Sequence, residues 1–124
     1  MCIKRVPFIA VIDDDSPLRA ALVESLLSVG YAARGFASAE EFMSADEQVE
    51  CGCVITDVHM SGMSGLDLKL LLSTLNSKVP VIMITARTDP SLEERAAAVG
   101  AVGFLRKPFE PTALLECVRT ALRD

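Results

Sequence analysis

The stretch CVITDVHM, at residues 53–60, is the one around which we interpret the rest of the chain. It begins as a short apolar run that is typical of a buried strand and carries a single aspartate, Asp57, at its end. A loop with two glycines follows at residues 61–65. Open α/β sheets place their ligand crevice at the carboxyl ends of their strands, so Asp57 is a candidate site residue. The same position also suits a turn former or a helix cap.

The composition is that of an ordinary globular domain. The chain has 124 residues, of which 51% are hydrophobic and 23% are charged, a size and balance that suit one domain. A formal net charge of −5 disfavours a nucleic-acid-binding face. No apolar run reaches the about 18 residues that a bilayer span requires, and the N-terminus lacks a signal-peptide core. We therefore expect one domain over residues 1–124, in the cytoplasm and without membrane contact.

The cysteines do not indicate a metal site. The chain has four cysteines and one histidine, and only Cys51 and Cys53 are close in sequence. Their spacing is one residue short of the usual zinc knuckle. We interpret all four as reduced, partly buried thiols.

Strand and helix signals alternate five times along the chain. Strands are predicted at residues 8–12, 31–36, 53–56, 80–85 and 103–105, with the second at a sheet edge. Ser16 is predicted to cap the first helix and Ser38, with Glu41 three residues later, the second. Apolar strands that alternate with helices predict an α/β fold whose parallel sheet is covered on both faces.

Leucines and valines at helical spacing predict the buried faces of three helices. The predicted residues are Leu18, Leu22, Leu26 and Val29 in the first helix, Leu66, Leu70, Leu71 and Leu75 in the third, and Leu114, Leu115, Val118 and Leu122 in the fifth.

The carboxyl ends of the predicted strands bring five polar residues to one edge of the sheet. These residues are Asp13 and Asp14 after the first strand, Asp57 after the third, Thr85 at the end of the fourth and Lys107 after the fifth. Carboxylates this close repel by roughly 4 kcal/mol per pair at ~4 Å and an effective dielectric constant near 20. Such a cluster holds either a proton or a cation, and oxygen ligands with room for water suit Mg²⁺. Each residue alone also fits a cap, strand or surface role.

Four motifs resemble the receiver domain of two-component response regulators. They are VIDDD at residues 11–15, ITDVHM at 55–60, ITA at 84–86 and KPF at 107–109. The segments FASAEEF at 36–42 and MSGLDL at 63–68 are most similar to the FixJ-type branch. The resemblance covers essentially the whole chain. It implies a flavodoxin-like (βα)5 domain with a five-stranded parallel sheet in the order 2-1-3-4-5.

The resemblance also implies a phosphorylation site. Asp57 would be the phosphoacceptor and would attack the phosphohistidine of a sensor histidine kinase. Asp13 and Asp14 would hold Mg²⁺ together with Asp57 and the backbone carbonyl of His59. The protein would catalyse only its own phosphorylation and dephosphorylation, and in that sense would not be an enzyme.

Further residues would respond to the phosphoryl group. Thr85 would hydrogen-bond its oxygens, and Lys107 would form an ion pair with them, presented by a cis peptide bond to Pro108. Phe104 stands where the family usually has an aromatic residue that turns inward when the threonine moves, although it also suits a plain core position.

Three residues lie near these motifs but are not part of them. Ser61 stands where the family commonly has proline, so the loop after Asp57 should be less stiff. His59 and Arg87 are each two residues beyond a motif residue and would line the mouth of the site. Both are candidates to change the lifetime of the acyl phosphate, and both also suit plain exposed loop positions.

The implied partners are a sensor kinase and an effector. The first helix, with Leu18 and Leu22, is the predicted edge for kinase docking. The face formed by the fourth helix, fifth strand and fifth helix, residues 91–123, is predicted to support homodimerisation on phosphorylation or effector contact. FixJ-type receivers ordinarily precede a helix-turn-helix domain, so DNA would be contacted only through a domain outside these residues. A stand-alone receiver that acts by protein–protein contact is the alternative.

Two other classes are weaker interpretations. A haloacid-dehalogenase-type phosphatase also uses a strand-end aspartate with Mg²⁺, but it needs a second aspartate where His59 stands. A degenerate receiver that is never phosphorylated would be expected to lack some of the five motif residues, and this chain has them all.

Overall fold

The computed structural model describes residues 7–45 and 51–122, and strands alternate with helices along it. The strands are β1 (Phe8–Ile12), β2 (Ala32–Phe36), β3 (Cys51–Asp57), β4 (Val81–Thr85) and β5 (Gly103–Arg106). The helices are α1 (Ser16–Ser28), α2 (Ala39–Ser44), α3 (Gly65–Thr74), α4 (Ser91–Ala98) and α5 (Pro111–Leu122). The first five residues, where the sequence shows no signal-peptide core, lie outside the described residues.

The five strands form one parallel sheet in the order β2-β1-β3-β4-β5. Strands β1 and β4 are buried along their whole length, and β3 is buried from Cys53 to its end. The edge strands β2 and β5 are partly exposed. The predicted α/β fold and strand order are confirmed, and β2 is the edge strand that the sequence indicated.

The helices cover the two faces of the sheet and form two hydrophobic cores. Helices α1 and α5 pack on one face, where Leu26 and Leu114 belong to one hydrophobic cluster with Ile82. Helices α2, α3 and α4 cover the other face around Phe42 and Leu68. Because successive strand residues point to opposite faces, each doubly buried strand contributes to both cores.

The caps of the first two helices differ in part from the predictions. The side chain of Asp15, not Ser16, caps α1 by accepting a hydrogen bond from the Leu18 amide at 3.2 Å. Ser16 instead begins the helix, and the prediction of a Ser16 cap was wrong. The Ser38 cap of α2 is confirmed, since its hydroxyl accepts from the Glu41 amide at 3.0 Å.

Several predicted buried faces were wrong by part of a turn. In α3 the buried leucines are Leu66, Leu68 and Leu72, whereas Leu70 is 51% and Leu75 57% exposed. Val29 and Leu122, at the ends of α1 and α5, are also exposed. In α3 the cause is Gly65, which begins the helix directly against β3: a Cβ there would lie 2.6 Å from the carbonyl oxygen of Asp57. This close approach of Gly65 to β3 fixes how α3 is rotated about its own axis, and therefore which leucines face the core.

Within the described ranges, no helix is long and apolar enough to cross a membrane.

Candidate functional site

Three charged residues meet at the carboxyl edge of the sheet. Asp13 follows β1, Asp57 ends β3, and both are almost fully buried. The Lys107 ammonium lies 2.8 Å from Oδ2 of Asp57 and 3.2 Å from Oδ2 of Asp13. The peptide bond from Lys107 to Pro108 is cis, as predicted. Topology thus brings together residues that are up to 94 positions apart in the sequence.

Backbone amides hold the other oxygen of each carboxylate. Oδ1 of Asp13 accepts from the amide of Asp15 at 2.9 Å, and Oδ1 of Asp57 accepts from the amide of His59 at 2.9 Å. Each carboxylate is therefore held between the amide two residues later and the shared ammonium. Charge-assisted hydrogen bonds of this kind are roughly twice as strong as neutral ones, so both carboxylates are well oriented.

Burial and mutual charge shape the ionisation of the cluster. Burial raises the pKa of Asp13 and the nearby Asp57 charge adds to this, although the amide of Asp15 and the charge of Lys107 oppose it. Burial lowers the pKa of Lys107, but the hydrogen bonds and charges of the two aspartates outweigh it and raise its pKa overall. Lys107 is therefore firmly protonated at neutral pH, and its single positive charge is shared by two buried acids.

The donor chemistry of this edge fits Mg²⁺. Asp13 and Asp57 place carboxylate oxygens side by side, and the exposed Asp14 adds a third carboxylate next in sequence. Mg²⁺ prefers such oxygen ligands and keeps several waters, which an edge open to solvent permits. Among residues 7–45 and 51–122, however, no three acidic, histidine or cysteine side chains are arranged as a metal-binding group. Lys107 is the cation between the two buried aspartates in this structure.

Thr85 ends β4 beside this cluster. It is fully buried, and its Oγ1 accepts a hydrogen bond from the amide of Arg87 at 3.0 Å. Its carbonyl oxygen accepts from the amide of Lys107 at 2.7 Å, which ties the end of β4 to the lysine. The side chains of His59 and Arg87 are exposed in the loops that follow β3 and β4. Their positions fit the mouth of a site at this edge.

Phe104 is half-buried on β5 and packs against the core that α2, α3 and α4 cover. The guanidinium of Arg106 lies 5.1 Å from the centre of its ring. The same guanidinium donates to the carbonyl oxygens of Arg87 and Asp89 in the loop between β4 and α4. Sequence reasoning did not single out Arg106. The alternation of a strand, which puts residues 104 and 106 on one face, was the available signal.

Glu40 makes a second contact that the sequence did not predict. Its Oε2 accepts a hydrogen bond at 2.9 Å from the amide of Met63, in the loop that follows Asp57. Gly62, next to Met63, has a φ of +81°, and a Cβ there would lie 2.6 Å from that oxygen. Helix α2 thereby steadies the loop after Asp57, which contains Ser61.

A groove of about 560 Å³ runs between α1 and α5 next to the charged cluster. Its lining is mainly apolar and includes Leu18, Leu22, Phe109 and Leu115. Lys107 also lines it, so the groove reaches the carboxyl edge of the sheet.

The fold and this edge are those of a signalling receiver, and comparison with known proteins identifies the class. The family model described as the response regulator receiver domain matches residues 9–119. The chain therefore belongs to the response regulator receiver domain family.

Curated relatives include regulators of the FixJ type. The response regulator protein TmoT of Ectopseudomonas mendocina is 38% identical over 115 residues, which are 93% of this chain and 52% of that protein. The transcriptional regulatory protein FixJ of Azorhizobium caulinodans is 39% identical over 112 residues, 90% of this chain and 53% of FixJ. The chain thus spans about half the length of these relatives.

Solved structures are similar over nearly the whole chain. The crystal structure of FixJ-N has a TM-score of 0.88 at 33% identity, covering 97% of this chain and 96% of the other. A response regulator receiver protein from Burkholderia phymatum has a TM-score of 0.82 at 39% identity, with 94% and 95% covered. The resemblance to FixJ-type receivers that the motifs indicated is confirmed.

Proposed function

We propose that residues 1–124 are the phosphate-accepting receiver of a two-component regulator, and that Asp57 takes a phosphoryl group from the phosphohistidine of a sensor histidine kinase. One observation carries the proposal. The Asp57 carboxylate is buried at the carboxyl edge of a parallel sheet, held by the amide of His59 and by Lys107. A carboxylate so oriented beside a fixed positive charge suits attack on a phosphoryl group.

The reaction moves the phosphoryl group from nitrogen to oxygen. A carboxylate oxygen of Asp57 forms a bond to phosphorus while the N–P bond of the phosphohistidine breaks. The imidazole keeps the electron pair of that bond, and Asp57 becomes an acyl phosphate. Phosphoryl transfer depends mainly on positioning and on neutralising charge, and the two hydrogen bonds to Asp57 supply the positioning.

The negative charge of the phosphoryl group would be neutralised by Lys107 and by a Mg²⁺ ion held at the acidic edge. Asp13, Asp14, Asp57 and the backbone carbonyl of His59 would hold Mg²⁺, which when bound supplies positive charge against the phosphoryl oxygens. Lys107, which now bridges Asp13 and Asp57, then pairs with the phosphoryl group.

Thr85 contributes a hydrogen-bond donor to the same group. Its oxygen accepts from the amide of Arg87, so its hydroxyl proton remains available to donate to a phosphoryl oxygen. Phe104 is the proposed switch residue that follows Thr85. Moving a population from 1:99 to 99:1 requires about 5.5 kcal/mol of differential stabilisation. The two contacts from Lys107 and Thr85 to a charged group are of that order.

The apolar groove between α1 and α5 is the proposed docking site for the kinase. Leu18 and Leu22 line it, and Lys107 stands where it meets the carboxyl edge. A partner helix seated there would present a phosphohistidine close to Asp57. This position is consistent with the predicted role of the first helix.

The effector is proposed to be a transcriptional output. The curated relatives are about twice as long as the matched region, and FixJ is named a transcriptional regulatory protein. DNA would be contacted through a domain beyond these residues, and the face formed by α4, β5 and α5 would serve homodimerisation. A stand-alone receiver that acts by protein–protein contact is the alternative.

The test is labelling with a radioactive small-molecule phosphodonor in Mg²⁺. Wild type and an Asp67→Asn control, which alters an exposed aspartate of α3, should take up label, whereas Asp57→Asn should take up none. Chelating the Mg²⁺ should abolish labelling of wild type. Equal labelling of wild type and Asp57→Asn would exclude Asp57 as the acceptor.

A further inference from the structure

Arg106 connects two parts of the molecule that the proposed switch would move. Its Nη1 donates to the carbonyl oxygen of Arg87 at 2.9 Å, and its Nη2 to that of Asp89 at 3.3 Å. Its guanidinium also lies over the ring of Phe104 at 5.1 Å. The Arg106 side chain on β5 therefore contacts both the loop between β4 and α4 and the ring of Phe104. We call residues 86–90 the β4–α4 loop.

The sheet register links this side chain to Thr85. Arg106 is the direct partner of Thr85 in the pairing of β4 with β5. The Thr85 hydroxyl accepts from the amide of Arg87, and the carbonyl of Arg87 accepts from Arg106. A continuous path of hydrogen bonds thus runs from the buried hydroxyl through the β4–α4 loop to β5.

We propose that Arg106 is a positioning residue that clamps the β4–α4 loop in its unphosphorylated arrangement and so opposes the switch. The inference rests on the proposed phosphorylation of Asp57. Only contacts that differ between two states bias the equilibrium between them. Displacement of the loop breaks the hydrogen bonds from Arg106, and rotation of Phe104 breaks the stacking contact. Both contacts therefore favour the state without a phosphoryl group.

The clamp depends on the shape of the guanidinium as well as its charge. A planar fork donates to two carbonyl oxygens at once while its charge lies 5.1 Å from the centre of the Phe104 ring. A lysine ammonium is a compact point charge that can keep a charge near the ring but cannot reproduce the fork. Arg106→Lys should therefore resemble Arg106→Ala more than wild type.

Binding of beryllofluoride in Mg²⁺, as a mimic of the phosphoryl group, measures the effect on the switch. Apparent affinity rises with the fraction of molecules already in the binding-competent state. We expect Arg106→Ala to bind the mimic about fivefold more tightly than wild type, equivalent to about 1 kcal/mol. Arg119→Ala, which removes the same charge from an exposed site on α5, should bind as wild type does. Equal or weaker binding by Arg106→Ala would overturn the proposal.

Amide hydrogen exchange without Mg²⁺ or any phosphodonor tests the clamp by itself. The amide of Arg87 should exchange about tenfold faster in Arg106→Ala than in wild type or Arg119→Ala, because its loop opens more often. The thermal unfolding midpoint should fall by a few degrees in Arg106→Ala, as the loss of about 1 kcal/mol from the folded state requires, and should stay at the wild-type value in Arg119→Ala. Unchanged exchange would refute the clamp. If wild type bound no beryllofluoride, the proposed function would fail instead, and exchange alone would decide whether the clamp exists.

Discussion

Lys107 is the residue on which the charge balance of the sheet edge depends. It pairs with Asp13 and Asp57 at once, and their combined attraction outweighs the cost of partly burying the ammonium. Two acids that would otherwise repel are thereby held beside one ammonium. In the proposed reaction the Lys107 ammonium leaves the two carboxylates and pairs with the incoming phosphoryl group. A single side chain thus serves the resting state and the phosphorylated state.

His59 contributes to the site in two separable ways. Its backbone amide orients Asp57, whereas its exposed side chain lies in the loop after β3 and is proposed to line the mouth of the site. We predict that His59→Ala shortens the lifetime of the acyl phosphate several-fold, because a smaller side chain gives water easier access to phosphorus. Loss of label from phosphorylated protein after removal of the phosphodonor measures this lifetime. Since the substitution keeps the amide, the rate of phosphorylation is the internal control. An unchanged decay would remove the side chain from the mechanism.

At the scale of elements, the start of α3 is fixed by the close approach of Gly65 to β3. Its amide donates to the carbonyl of Val58 at 3.0 Å. A Cβ at this position would lie 2.6 Å from the carbonyl oxygen of Asp57 and 3.2 Å from Cγ2 of Thr56. Backbone atoms cannot yield as the end of a flexible side chain can. The glycine thus sets both the rotation of α3 and the path of the loop after Asp57.

We predict that Gly65→Ala lowers the free energy of unfolding by about 1–3 kcal/mol, the usual cost of overpacking a close contact. Urea denaturation measures it. Gly35→Ala on the edge strand β2 is the matched control, because its Cβ would meet only the Arg19 side chain, at 3.1 Å. That change should alter stability by less than about 1 kcal/mol. Equal effects of the two substitutions would contradict the packing argument.

Much of the architecture was predictable because strand and helix patterns act locally. Doubly apolar strands that alternate with helices predict a parallel sheet, and a parallel sheet brings the ends of its strands to one edge. The convergence of Asp13, Asp57 and Lys107 follows from that topology. The order of the strands does not follow from periodicity, and it came from the resemblance to receiver domains.

What could not be predicted depends on contacts between elements. The exposure of Leu70 follows from how Gly65 seats α3, which no pattern within the helix reveals. Asp15 precedes Ser16, and both are good cap residues, so sequence alone does not choose between them. The hydrogen bonds of Glu40 to Met63 and of Arg106 to the β4–α4 loop join polar side chains to backbone 17 or more positions away. No periodic signal marks such pairs.

At the scale of the whole molecule, strand β5 lies between the proposed input groove of α1 and α5 and the α4 side of the proposed output surface. Leu105 and Phe109 belong to the core under α1 and α5, beside the apolar groove, while Phe104 packs into the core on the opposite face. Strand β5 contributes Leu105 to one core and Phe104 to the other because successive side chains point to opposite faces of the sheet. A change at the carboxyl edge can therefore reach both cores through β5.

The folded chain as a whole should lose stability in alkali because of a thiol in its core. Cys53 on β3 is fully buried, and burial, with smaller contributions from Cys51 and Cys117, raises its pKa to about 12. Below pH 9, the ordinary value, both the folded and the unfolded chain keep the proton and the stability is complete. Between about pH 9 and 12 only the unfolded chain releases it, so the free energy of unfolding falls as pH rises.

We predict that the stability difference between wild type and Cys53→Ala narrows by about 1 kcal/mol from pH 8 to pH 10, since one group contributes up to about 1.4 kcal/mol per pH unit. Urea denaturation of both proteins at the two pH values, with reductant present, measures this. The packing lost with the sulfur is the same at both pH values and cancels. The stability difference between wild type and Cys117→Ala, which alters a half-exposed site, should narrow by less over the same pH range. A difference that stays constant would show that Cys53 ionises as readily in the folded chain as in the unfolded one.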